Sequence, residues 1–272
     1  MMKISVKTGH VFYGVAMIVY GVQQFLYGDF RAVQVPAWQS KLPFLPFWAY
    51  VTGAGLILAG LGIIAGKKVR EIALVLGYSF LLLLFLVHVP FQIFAEPYNL
   101  HLAVWTNALK DLALAGGALV IAGTFPQEKH IAQPDFTRKL TRIIPFGPML
   151  FSITMTSFGI DHFLYAERLS DIVPAYLPDR VFWMYFTGVV LIGAGFAITM
   201  NIRRGVIALL FSITLALWIL LLHIPRAIAD PFGSRSNEIS SVFDALAFCG
   251  TALMISLPSL KKDLHEMFGI RQ

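Results

Sequence analysis

Read along the chain, apolar residues continue for much longer than the polar residues that interrupt them, and the runs are apolar on all sides rather than along one stripe. They predict helices at about residues 10 to 28, 46 to 66, 72 to 95, 103 to 125, 144 to 165, 181 to 199, 205 to 229 and 239 to 258. Several of these stretches approach or exceed the roughly 20 residues that a helix needs to cross about 30 Å of hydrocarbon. Open strand edges would leave backbone N–H and C=O groups unpaired in lipid, so strands are excluded. The expected fold class is an all-α integral membrane protein with eight transmembrane helices.

The pattern also repeats. Tyr20-Gly21-Val22-Gln23-Gln24-Phe25-Leu26-Tyr27 answers Phe158-Gly159-Ile160-Asp161-His162-Phe163-Leu164-Tyr165 at an offset of 138, and Val35-Pro36-Ala37-Trp38 keeps that offset against Val173-Pro174-Ala175-Tyr176. Phe47-Trp48-Ala49-Tyr50-Val51-Thr52-Gly53 then answers Phe182-Trp183-Met184-Tyr185-Phe186-Thr187-Gly188, and His88-Val89-Pro90 answers His223-Ile224-Pro225, both at an offset of 135. Glu96-Pro97 pairs with Asp230-Pro231 and Asp111 with Asp244, in unbroken order. This predicts two four-helix-bundle repeats, over residues 1–124 and 146–272, joined by a polar cytoplasmic linker over residues 125–145 that holds Pro126, Lys129, Pro134 and Asp135. An even number of crossings per repeat makes the two parallel, related by an axis along the membrane normal. It also argues that the first span, which follows Lys3 and Lys7 like a signal peptide, is retained. Gly53 with Gly60 and Gly188 with Gly195 recur at seven-residue spacing, and Gly55 with Ala59 forms a further small-residue step; all are expected at helix contacts.

Composition strengthens the membrane reading: apolar residues make up 57 % and charged residues 13 %, too little charge to cover a soluble surface. The net charge of +6 is not a nucleic-acid signal, because the basic residues fall in short clusters between apolar runs rather than on one face. With both termini in the cytoplasm, inside segments hold 14 Lys and Arg residues and outside segments 6, and Lys110 lies within a span. The single cysteine, Cys249, rules out an intramolecular disulfide and a Cys-x-x-Cys relay.

Projection of the spans on depth gathers polar residues at the outer mouth. In the first half these are Gln23, Gln24, Trp48, Tyr50, Thr52, His88, Lys110 and Asp111; in the second they are Asp161, His162, Trp183, Tyr185, Thr187, His223, Arg226 and Asp244. A charge in the bilayer centre costs about 2.5–3.5 kcal/mol on insertion scales, so each should face the bundle and a partner. Plain structural roles compete with function throughout. The carboxylates can fix helix packing, His88 and His223 can cap helices that Pro90 and Pro225 end or kink, the tryptophans can form an interfacial belt, and Arg226 can bind an anion or snorkel to headgroups. The second half carries more titratable groups, so an active site is expected there and the first half is expected to be mainly structural. His223 and Asp161 are the candidates for proton chemistry. His162, Trp183, Tyr185, Thr187, Arg226 and Asp244, with His88, Trp48 and Asp111 from the first half, are the candidates for ligand binding. A metal held by His162, His223 and Asp161 is a lesser alternative, since no haem or zinc-protease spacing occurs.

Phe158-Gly159 with His162-Phe163, Val173-Pro174, Trp183-x-Tyr185-x-Thr187-Gly188, His223-Ile224-Pro225-Arg226 and Ala245-Leu246-Ala247 together resemble the DoxX-like family of small four-helix bacterial membrane proteins, with the first half as a second, degenerate copy. The resemblance implies a bacterial cytoplasmic (inner) membrane protein, with links in some members to quinone-coupled sulfur oxidation or oxidative-stress complexes. Member chemistry that needs a thiol pair does not transfer to a chain with one cysteine. The leading expectation is a redox-associated protein that binds a quinone or similar lipophile, with no covalent cofactor and with a partner subunit as electron source. A small-solute transporter and a non-catalytic scaffold are the alternatives. The first is weakened by polar groups that gather at one face only.

Overall fold

The computed structural model describes residues 2–36, 42–95, 102–125 and 139–268. Ala37, Trp38, Lys41, Glu96, Pro97, Arg271 and the linker positions Pro126, Lys129, Pro134 and Asp135 lie outside the described residues. Among the described residues there is no strand. Eight long helices follow one another: α1 (Met2–Tyr27), α2 (Leu45–Ala65), α3 (Val69–Ala95), α4 (Thr106–Thr124), α5 (Thr141–Leu164), α6 (Arg180–Thr199), α7 (Arg204–Ala229) and α8 (Asn237–Ser256). Six of them, all but α1 and α4, are long and apolar enough to cross a membrane, which points to a multi-pass membrane protein.

Both helices that fall short bury polar groups: His10, Gln23 and Gln24 in α1, and Asp111 in α4, which also buries a continuous run from Ala113 to Ala122. A helix enclosed by other helices can carry polar groups that a lipid-facing one cannot. Packing is regular: α1 lies against α2 and α8, α5 lies against α6 and α4, α3 pairs with α4, α7 pairs with α8, and α4 touches α8 at the centre.

Close backbone approach holds these pairs. A Cβ on Gly14 would stand 2.8 Å from the Gly60 carbonyl oxygen, and one on Gly159 would stand 2.8 Å from that of Gly188, so α1–α2 and α5–α6 meet at glycine crossings. Gly55 departs from the expected pattern. Nothing lies within 4 Å of where its Cβ would be, so it faces open space and not a neighbouring helix.

Pro90 and Pro225 do not end their helices. Each follows a π-helical turn, Leu84–His88 in α3 and Ile219–His223 in α7, and the helix continues past it. A proline cannot donate to the carbonyl four residues back. For Pro225 that carbonyl belongs to Leu221, and it accepts instead from the Tyr176 hydroxyl. Beyond α8 the chain forms a further helix, α9 (Leu260–Phe268). Its buried Asp263 accepts from the backbone N–H groups of Gly205 (2.7 Å) and Val206 (3.3 Å), two of the free amides at the start of α7.

Candidate functional site

Adjacent residues on a helix point about 100° apart, at 3.6 residues per turn. On α4 this sends Lys110 and Asp111 into different surroundings. Asp111 is fully buried, and its Oδ2 lies 3.4 Å from His88 Nε2, which also shares a 3.0 Å hydrogen bond with the Val33 carbonyl. This His88–Asp111 centre is closed to the surface. Lys110 turns instead toward α8, where Nζ lies 2.7 Å from Asp244 Oδ2 while the Tyr20 hydroxyl of α1 donates to Asp244 Oδ1. Asp244 is therefore a buried carboxylate of the second half whose two oxygens meet groups from the first half. Charged pairs in such surroundings hold only when well matched, since removal of either member leaves an uncompensated charge.

Lys110 and Asp244 stand at the edge of a cavity of about 460 Å³. His162 of α5, Trp183 and Thr187 of α6, and His223 of α7 also line it. The rest of the wall is almost wholly apolar, with Phe158, Met184, Trp218 and Phe248 prominent. The cavity reaches the lipid-facing side between α6 and α7, where Phe186, Leu217 and Leu221 are exposed. His223 Nδ1 is buried with no hydrogen-bond partner, whereas His162 Nδ1 is engaged 2.7 Å from the Phe158 carbonyl. The Trp183 indole donates to the Pro178 carbonyl at 3.0 Å, which fixes the ring at the cavity wall.

Of the residues singled out in the sequence, His223, His162, Trp183, Thr187 and Asp244 thus share one cavity, and the others lie elsewhere. Asp161 is buried, and its Oδ1 has no partner, but it does not line the cavity. Tyr185 faces outward and packs on Phe163 with ring centroids 5.5 Å apart. Arg226 is held by Glu238 at 2.7 Å, which supplies a protein partner in place of an anion or headgroup. Trp48 is exposed and packs edge-on to Phe47. His88 and Asp111 form the closed centre already described. His162 and His223 share the cavity without Asp161, and among the described residues no group of three histidine, cysteine or carboxylate side chains could hold a metal ion.

Tyr20 is absent from the polar residues that the sequence gathers in the first half, and Lys110 is among them without being a candidate for ligand binding. The available signal was their asymmetry: at the repeat offsets Lys110 faces Phe243 and Tyr20 faces Phe158, so neither has a polar counterpart. Polar contacts between the halves continue near the C-terminal end of α1. There the Gln23 amide donates to the Ser236 carbonyl, Ser240 donates to Gln23 Oε1 (2.9 Å), Arg31 donates to Ser240 Oγ (3.2 Å) and Arg235 pairs with Asp29. Comparison with protein-family models, with curated proteins and with solved structures finds no match to this chain.

Proposed function

We propose that the chain crosses a bacterial cytoplasmic membrane eight times, as two parallel DoxX-like repeats, and binds a quinone or similar lipophile in the cavity between α6 and α7. The carrying observation is the cavity's division into extensive apolar walls and one polar end, formed by the Lys110–Asp244 ion pair and His223. That division suits a ligand with a greasy body and a polar oxygen. The packing of α1 with α2 and α8, matched by that of α5 with α6 and α4, supports the repeat.

In this reading Trp183 and Trp218 flank the ring. Lys110 donates to a carbonyl oxygen, and His223, with its unpartnered Nδ1, passes a proton to that oxygen as it is reduced. Quinone reduction takes two electrons and two protons: the electrons come from a redox partner subunit, one proton comes from His223, which is reprotonated from water, and the second comes from water at the other oxygen. The position of Asp244 in the cavity gives it, rather than Asp161, the part of the supporting carboxylate.

The test is the lipophilic content of protein purified with its native lipids. Mass spectrometry should find a quinone in the wild type that is depleted at least tenfold in His223→Ala. The reading fails if the wild type carries none and added decylubiquinone raises neither its melting temperature nor its tryptophan quenching. The interlocked polar contacts among Gln23, Arg31, Ser236 and Ser240 favour the scaffold alternative, and that negative result would leave it standing.

A further inference from the structure

A second cavity, of about 550 Å³, lies between α2 and α3. Thr52, Leu56, Ser79, Phe80 and Leu83 line it, and the residues 135 positions further on line the first cavity, so the two occupy corresponding places. Their polar ends differ. His88, the counterpart of His223, is turned away into its closed contact with Asp111, and one end of the second cavity is formed by two amides, Gln24 and Gln34. The Thr52 hydroxyl donates to Gln24 Oε1 (2.7 Å), and Gln24 Nε2 donates to Gln34 Oε1 (2.8 Å). Gln34 is 3 % exposed, and its own Nε2 has no acceptor. The relay therefore ends on an unused donor, which calls for a hydrogen-bond acceptor.

The shape narrows the ligand further. The α3 wall runs from Lys68 to Leu83, about 22 Å at 1.5 Å per residue. That length suits an extended hydrocarbon chain, and no tryptophan among the described residues lines the groove to flank a ring as Trp183 and Trp218 do in the first cavity. The groove opens to the lipid side, where Leu58 is 68 % and Val75 is 66 % exposed.

We propose that this groove holds one acyl chain of a membrane lipid, with an ester carbonyl that accepts a hydrogen bond from Gln34 at the outer end. It is a ligand site distinct from the first cavity, and it gives the first half a binding role. Gly55 supplies a selective plug, because it lines the groove and its Cβ would meet nothing within 4 Å.

The test is native mass spectrometry of delipidated protein titrated with palmitoyl-oleoyl phosphatidylglycerol. Wild type should retain one tightly held lipid, and so should Thr187→Val, which lines the first cavity and not this groove. Gly55→Phe should lose that lipid, and Gln34→Leu should weaken it about tenfold. Equal retention by wild type and Gly55→Phe would overturn the proposal, as would loss in Thr187→Val alone. A diazirine-bearing acyl lipid gives an independent check: it should crosslink to peptides with Leu58 or Val75, and labelling confined to the α6–α7 face would count against the site.

Discussion

Asp244 is 3 % exposed and depends on Lys110 for its counter-charge and on the Tyr20 hydroxyl for a hydrogen bond. Lys110→Met should therefore lower unfolding free energy by about 3 kcal/mol, toward the low end for a broken buried pair because Lys110 keeps some exposure. The double variant Lys110→Met with Asp244→Leu should recover most of that loss, since no lone charge remains. Thermal unfolding in detergent checks both, and a double variant no more stable than Lys110→Met would refute the account. The depth of Lys110 is legible in the sequence, and its direction around the helix is not. Depth alone grouped it with Asp111, although the 100° step between neighbours sends the two toward different halves. Tyr20 was hidden for a different reason: an aromatic residue in an apolar run looks like packing until a carboxylate from a distant helix is found beside it.

The eight long helices were legible because apolar runs of this length leave the backbone no other way to satisfy itself in lipid. Their contacts were only partly so. Gly53 and Gly60 meet α1 at glycine crossings, while Gly55, two residues away, faces a cavity, and small side chains serve both purposes equally well. Gly60→Leu should destabilise by about 1–3 kcal/mol through overpacking, whereas Gly55→Leu should be neutral or slightly stabilising. Comparison of their melting temperatures separates the two roles. The π-helical turns were not legible, because Pro90 and Pro225 signal a break and tertiary partners decide how it is repaired. Tyr176→Phe strips the Leu221 carbonyl of its donor and should cost about 1 kcal/mol, measurable in the same assay.

At the scale of the molecule, the proposed topology sets Lys67 and Lys261 inside and Phe232 outside. Cysteines at these exposed positions, in a Cys249→Ala background, should react with a membrane-impermeant maleimide accordingly. In intact spheroplasts only Phe232→Cys should be labelled, and Lys67→Cys and Lys261→Cys only after permeabilisation. The opposite pattern would invert the protein. The internal repeat predicts two units, with the active site expected within the second. The structure instead puts a cation and a phenol from one unit on a carboxylate of the other, and pairwise matching of motifs cannot reveal contacts made by residues that lack a match. A gene cut within the linker would accordingly encode two fragments of unequal fate. The C-terminal piece, synthesised alone, would hold Asp244 with nothing to neutralise it and should be degraded, while synthesis of both pieces in one cell should rescue it.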